Sequence, residues 1–365
     1  MQARHRNEPM QTGRPQQHPD AVSVVVLVAG GYGAVGGLVS RALAEETGFK
    51  VVVAGRGADK AARMTAEIGG EGRRLDLDDP ATWETAFQGV DCVVMCMDQH
   101  STRLVEFVFA RGIHYIDITA SDWFFRAVER LEPVRSAALL SVGLAPGLTN
   151  LLAAHCVARL EHVDEVKIGL LVGLGDRHGD AGLEWIADQL FDPGRKGGGT
   201  PVTFGFGQGR RMAHRVDFSD QHAVARTLPV RAAETRMAFE SRLATWALFR
   251  IAGLFAGNRL ARSALLAAVR RLHIGSRMCN VSVHAHGRSG GHRAVASVHF
   301  AGEVETAITA RLAAAQTALF LRGRRPTSGV WHSNEIFSVK DILQVIADRG
   351  IGRIHVDPLR APPDD

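Results

Sequence analysis

Cysteine is scarce. The 365 residues hold four, Cys92, Cys96, Cys156 and Cys279. Their spacing excludes a disulfide framework and a CxxC metal knuckle, and a reducing, cytoplasmic location is expected. Lysine is also rare, with five residues against 38 arginines. The basic residues are dispersed and not interleaved with aromatics, so a nucleic-acid partner is not expected. The net charge of +5 still favours anionic ligands. No uncharged apolar run reaches the roughly 18 residues that a membrane-spanning helix needs. Residues 1–20 lack the apolar stretch of a secretory signal. Rich in Gln, Pro, Arg and His, they read as a disordered tail. At about 100–200 residues per domain, the remaining length predicts two domains.

What is present is an alternation of strands and helices. Residues 22–29 (VSVVVLVA) form a continuous apolar run, as in a strand buried on both faces of a parallel sheet. A helix pattern follows over about 35–46, then a second strand at 50–54 (KVVVA) and a second helix over about 58–68. Short strands recur near 73–75, 91–96 and 114–118, with helical stretches between them. This is the pattern of a doubly wound α/β domain. After about residue 145 it changes. Residues 165–172 read as a strand, 181–191 as a helix and 192–212 as a loop-rich stretch. Residues 233–239 and 279–301 alternate apolar and polar, as antiparallel strands do, with a hairpin turn at Arg288–Gly291. A helix is expected over 306–321, another over about 339–349 and a strand at 353–356. The fold class is therefore α/β: an N-terminal Rossmann-type doubly wound parallel sheet, then an α+β domain with a largely antiparallel sheet. The expected boundaries are 21–145 for the first and 146–317 for the second, with about 318–356 packing back on the first.

Gly31-Tyr32-Gly33-Ala34-Val35-Gly36 is a GxGxxG string, preceded by Gly30. It follows a buried strand and opens a helix, the context a dinucleotide-binding turn requires. Gly31 permits the tight turn, Gly33 lets a pyrophosphate approach the backbone, and Gly36 lets the helix pack on the strand. The helix N-terminus offers free N–H groups to the phosphates. Twenty residues past Gly36 stands Arg56, where an NAD site commonly carries an acid. A guanidinium there pairs with a 2′-phosphate, so NADP is expected as cofactor, with Lys60 one helical turn further. The alternative is a solvated loop charge. Asp76 ends the third strand and is a candidate acceptor for the adenine amino group; Asp78 or Asp79 is a candidate helix cap.

The order of these strings, with Tyr115-Ile116-Asp117-Ile118-Thr119, Gly143-Leu144-Ala145-Pro146-Gly147-Leu148-Thr149-Asn150 and the later Gly329-Val330, resembles the saccharopine dehydrogenase-like family of NAD(P)-binding oxidoreductases. The resemblance spans about 21–340. It implies a Rossmann domain, an α+β domain whose open sheet is often used for dimerisation, and chemistry at C–N bonds. The sequence departs from the saccharopine-forming members at Ala145-Pro146-Gly147 and Thr149-Asn150, where those carry Asp-Pro-Gly followed by an acid and His. Saccharopine itself is not the expected substrate.

Ligands in open α/β sheets sit beyond the carboxyl ends of the strands. His100, after the fourth strand, and Asp117, ending the fifth, are candidate acid/base groups there. The alternatives are a solvent-facing His100 and an Asp117 that only anchors its loop. His178, in the polar loop after 165–172, is a third candidate. There Arg177 would hold a substrate carboxylate and Trp185 would wall the pocket; the alternative is a turn capping the next helix. His284 and His286 share a strand face, with His292 and His299 on the partner strand. No carboxylate or Cys joins them at ligand spacing, so a solvated sheet face or an interface is expected and no metal. Leu243–Leu272, with its apolar 243–256 stretch, reads as domain packing or a dimer interface. A membrane-surface element is the alternative. The expected function is an NADP(H)-dependent oxidoreductase, a homodimer acting on a small polar molecule by hydride transfer at a C–N or C–O bond. The competing reading is an NADP(H)-binding sensor or scaffold without turnover, associated with a membrane surface.

Overall fold

The computed structural model describes residues 23–175, 180–192, 198–271, 275–324 and 326–361. Fourteen strands among these residues form two seven-stranded sheets. The first holds β1 (Val24–Ala29), β2 (Phe49–Gly55), β3 (Glu71–Arg74), β4 (Cys92–Met95), β5 (His114–Asp117) and β6 (Ala137–Leu140). The second holds β7 (His162–Val172), β8 (Thr200–Phe204), β9 (Gly209–Val216), β10 (Ala232–Phe239), β11 (Met278–Ser289) and β12 (His292–Glu303). The tail is divided between them. β13 (Gly329–His332) extends the first sheet beside β6, whereas β14 (Gly352–Val356) pairs with β12 on the edge of the second. Only part of 318–356 thus joins the first sheet.

The first sheet is parallel throughout, in the order β13-β6-β5-β4-β1-β2-β3. This is the doubly wound order, and its direction of winding reverses between β1 and β4. Alternate side chains of its central strands enter different cores. Val26, Val28, Val51 and Val53 face one layer, and Leu27, Ala29, Val52 and Ala54 the other. Two buried faces explain why these strands read as unbroken apolar runs. The first of these cores continues into the second sheet through the helices Thr149–Val157 and Glu305–Leu319. Ile308, Ala310 and the run Leu312–Ala318 of the latter helix are buried. Its apolar residues lie all round the axis, as a helix packed on several sides requires.

The second sheet runs β14-β12-β11-β7-β10-β9-β8 and is antiparallel except between β7 and β10. The β11–β12 hairpin turns at Gly290 and Gly291, both at positive φ (56° and 77°), as a tight hairpin demands. The expected loop over 192–212 is corrected in part: β8 and the start of β9 fall within it. Their exposed faces are polar and glycines separate them, so the period-two signal is weak. The stretch 243–272 forms two helices, Arg242–Leu254 and Arg259–Arg271. Among the described residues, no helix is long and apolar enough to cross a membrane.

Candidate functional site: the crevice at the sheet's switch point

The glycine-rich turn leaves β1 at the switch point and enters α1 (Ala34–Ala44). The Gly30 amide donates to the Ala54 carbonyl of β2 (2.8 Å), which fixes the chain's exit from the sheet. The Gly33 amide donates to Gly30 O (2.8 Å), closing the turn. Ser40 Oγ donates to Gly31 O (2.9 Å) from within α1. Gly36 is required by contact. A Cβ on it would stand 2.2 Å from the Gly30 carbonyl oxygen, so any side chain would push α1 off the turn. Gly33 and Ala34 are exposed, and α1 begins with neither a side-chain cap nor an acid in its first turn. The positive end of the helix dipole and its first amides are left facing solvent, the arrangement that holds a phosphate.

Tyr32 folds across the end of β2. Its hydroxyl accepts from the Gly57 amide (2.9 Å). A Cβ on Gly55 would lie 2.5 Å from that hydroxyl, so the ring has its place only because Gly55 lacks a side chain. Arg56 stands between these two glycines, exposed, with no ion-pair partner among the described residues. Lys60 is exposed one turn into the helix Ala58–Ile68. Asp76 lies after β3, half-buried. Its Oδ1 accepts from the Asp78 amide (3.2 Å), and its carbonyl takes the Trp83 indole N–H (2.8 Å). Asp79 is the helix cap, accepting from the Ala81 amide (3.2 Å).

Across the switch point, β4 runs into Met97–His100. His100 is exposed. Its neighbour Gln99 is buried and donates to the Tyr115 hydroxyl (2.5 Å), which donates in turn to Asp117 Oδ2 (2.5 Å). Asp117 Oδ1 accepts from the amide of Thr119 (2.7 Å) and from its hydroxyl. Asp117 is fully buried. Burial pushes its pKa up to about 6, against the pull of these hydrogen bonds. With both oxygens engaged, Asp117 ties the loop after β5 to the loop after β4. His178 lies outside the described residues, as do Arg177 and Asp176. Trp185 packs edge-on against Phe218, with ring centroids 4.6 Å apart.

Two groupings bring together residues that the sequence reading did not connect. The first surrounds Gly143–Asn150. Gln316 of the helix Glu305–Leu319 accepts from the Gly143 amide (2.9 Å), and Asn150 Oδ1 accepts from the Gly147 amide (2.9 Å). Asp220, from the helix Ser219–Thr227, is buried beside Thr149 and Asn150. Its Oδ1 accepts from the Thr235 hydroxyl (2.6 Å) and the Gln221 amide (2.7 Å). Burial raises its pKa to about 6 against those bonds. Asn150 thus donates to the backbone carbonyl of a residue 70 positions away, Asp220 (3.5 Å).

The second grouping ends β6 and β13. Ser141, at φ 55°, sits in the left-handed region that non-glycine residues seldom adopt. Its Oγ lies 2.7 Å from His332 Nδ1, and His332 Nε2 lies 2.9 Å from Glu129 Oε1. A carboxylate can only accept, so Nε2 carries a proton; in the neutral ring Nδ1 then accepts from Ser141. Arg226 of the second domain bonds Glu129 Oε1 and Asp122 Oδ1, each at 2.8 Å. Burial opposes ionisation of Glu129, but His332 and Arg226 outweigh it and draw its pKa down to about 2. The sequence hides this set because its members come from four elements.

Of the β11 and β12 histidines, His292 is exposed and His286 half-buried, whereas His284 and His299 are enclosed rather than solvated. His284 is held between the Ser297 hydroxyl (2.8 Å) and the Thr203 carbonyl (2.9 Å), and burial lowers its pKa to about 4. His299 is buried against Ser282 (2.7 Å). β8 covers this face, which the loop reading of 192–212 concealed. Among the described residues, no group of three or more His, Cys, Asp or Glu is placed to hold a metal ion.

Comparison with known proteins follows this geometry. Residues 26–141 match the family described as the saccharopine dehydrogenase NADP binding domain. Among solved structures, the chain is similar to the apo saccharopine dehydrogenase (L-Glu forming) of Saccharomyces cerevisiae. The TM-score is 0.63 at 13% identity, over 92% of this chain and 100% of that one. An engineered D-amino acid dehydrogenase scores 0.47 at 15% identity, over 90% and 99% of the two chains. The DAP dehydrogenase of C. glutamicum scores 0.44 at 15% identity, over 88% and 99%. No curated protein sequence matches. Residues 26–141 thus match a saccharopine dehydrogenase NADP binding domain, and the two-sheet fold is shared with the yeast enzyme over nearly the whole length.

Proposed function

We propose that the protein is an NADP(H)-dependent oxidoreductase that transfers hydride at a C–N or C–O bond of a small polar substrate. One observation carries the cofactor choice: Arg56, exposed and without a counter-ion among the described residues, ends β2 beside an acid-free phosphate turn. An acid at this place would grip a ribose 2′-hydroxyl and repel a 2′-phosphate; a guanidinium does the reverse. The first amides of α1, those of Ala34–Gly36, would hold the diphosphate, and Tyr32 keeps the strand end in register with the turn. Asp76 accepts from the adenine amino group through the oxygen not used by Asp78. A nicotinamide held here would supply or accept the hydride. His100, at the mouth of the crevice, exchanges the substrate proton. Asp117, closed off from solvent, is a positioning residue that holds the β4 and β5 loops around that exchange.

The test is a titration of the protein with NADPH and NADH, for wild type and Arg56→Ala. Removal of a charged hydrogen bond costs roughly 1.5–3 kcal/mol, so NADPH binding should weaken about ten- to a hundred-fold while NADH binding stays put. Equal affinity for both cofactors, unchanged in the variant, would sink the NADP assignment. Binding of NADPH with no turnover in a broad amine and 2-oxo-acid screen would move the reading to a sensor or scaffold.

A further inference from the structure

The helix Arg242–Leu254 has two unlike faces. Thr245, Phe249 and Ala252, spaced four and three apart, are buried. Thr245 Oγ accepts from the Phe239 amide (2.9 Å), and Phe249 stacks on His214 with ring centroids 4.1 Å apart. These contacts bind the helix firmly to the second sheet. The opposite arc carries Leu243 (71% exposed), Trp246 (60%), Arg250 and Leu254 (76%), at spacings of three and four. Leu260, 83% exposed, adds to this apolar surface from the start of the next helix. That helix is itself pinned, Arg262 bonding Asp188 at 2.7 Å. Large apolar side chains set at helical spacing on a well-anchored element, and turned to solvent, mark a surface that something covers.

The charge around them says what. From Ser241 to Gly302 the chain has no Asp or Glu. Arg250 and Arg259 are exposed and ion-pair with no acid among the described residues. A second copy of this chain meeting the same face about a two-fold axis would set arginine against arginine, with no acid in the segment to relieve it. A surface of anionic lipid headgroups over an apolar layer matches both features at once. We propose that the helices Arg242–Leu254 and Arg259–Arg271 dock the protein on an anionic membrane surface. Leu243, Trp246, Leu254 and Leu260 enter the boundary between headgroups and acyl chains, and Arg250 and Arg259 pair with lipid phosphates. The helices lie on the bilayer and do not cross it. This inference is independent of the cofactor assignment.

The experiment is co-sedimentation of the full-length protein with phosphatidylcholine vesicles, with and without phosphatidylglycerol. Wild type should sediment with the anionic vesicles and be released by salt. The Leu243→Ser, Trp246→Ser, Leu254→Ser triple variant should stay in the supernatant with unchanged circular dichroism. Arg250→Gln and Arg259→Gln should each weaken binding about five-fold, the factor for one arginine at such a surface. Quenching by brominated lipid should diminish in Trp246→Phe, a reading that does not depend on the triple variant folding. Wild type that ignores anionic vesicles would overturn the proposal. So would light scattering that shows a dimer split by the triple variant, with no lipid binding by either protein; the face would then belong to a second copy.

Discussion

Glu129→Gln tests whether the two domains are latched by charge. In the wild type, Glu129 takes Arg226 from the second domain and His332 from β13. Its pKa falls from the ordinary 4.5 to about 2. Such a shift corresponds to roughly 3 kcal/mol if fully buried. The Glu129 side chain is 26% exposed, and solvent screening reduces the contribution to about 1.5–2 kcal/mol. Glutamine keeps the size and one acceptor but removes the charge. The sign follows from linkage. A carboxyl with a lowered folded pKa contributes stability that is present above its unfolded pKa and lost as the pH falls towards its folded one. The difference between wild type and variant should therefore be full at neutral pH and begin to shrink below about pH 4.5. At least roughly two-fifths of it should be gone by pH 3.5. Urea unfolding of both proteins across that range measures it. A gap of constant size between neutral pH and pH 3.5, or no gap at all, would refute the latch. Combining the variant with Arg226→Gln should give less than the sum of the two losses, because both remove the same interaction.

Asp117→Asn should remove a pH dependence of the opposite sign. The raised pKa of Asp117 makes the wild type lose stability as the pH rises from about 4 to about 6, by roughly 3 kcal/mol; the variant, followed by chemical denaturation, should lack most of that slope. Gly36→Ala should cost roughly 1–3 kcal/mol through overpacking against Gly30, read as a lower urea midpoint together with weakened NADPH binding. Tyr32→Phe leaves the Gly57 amide without its acceptor; a loss of about 1 kcal/mol is expected, and calorimetry should find NADPH binding several-fold weaker.

Much of the first domain can be read without coordinates. A strand buried on both faces has to be apolar at every position, so VSVVVLVA announces β1 in a way that half-exposed β8 and β9 cannot. The turn after β1 is local: Gly31 to Gly36 and the start of α1 are consecutive, and their chemistry is carried by the absence of side chains. Arg56 is legible for the same reason, at a set distance along a repeating βαβ unit. Asp117 is legible as a carboxylate at the end of β5, but its burial is not. That depends on Gln99, in the loop after β4, closing over Tyr115 of the same strand as Asp117.

The chain by itself therefore determined the layer architecture, the glycine-rich turn and the place of Arg56 just past β2, because each arises from periodicity or from neighbours in sequence. Tertiary structure alone decided which polar groups share a proton or a charge. Asp220 reaches Thr149 and Asn150, and Ser141, His332, Glu129 and Arg226 meet, only because the fold brings together helices and strand ends far apart in sequence. It also decided which face of Arg242–Leu254 is buried. The packing of Thr245 and Phe249 on the sheet leaves Leu243, Trp246 and Leu254 turned outward.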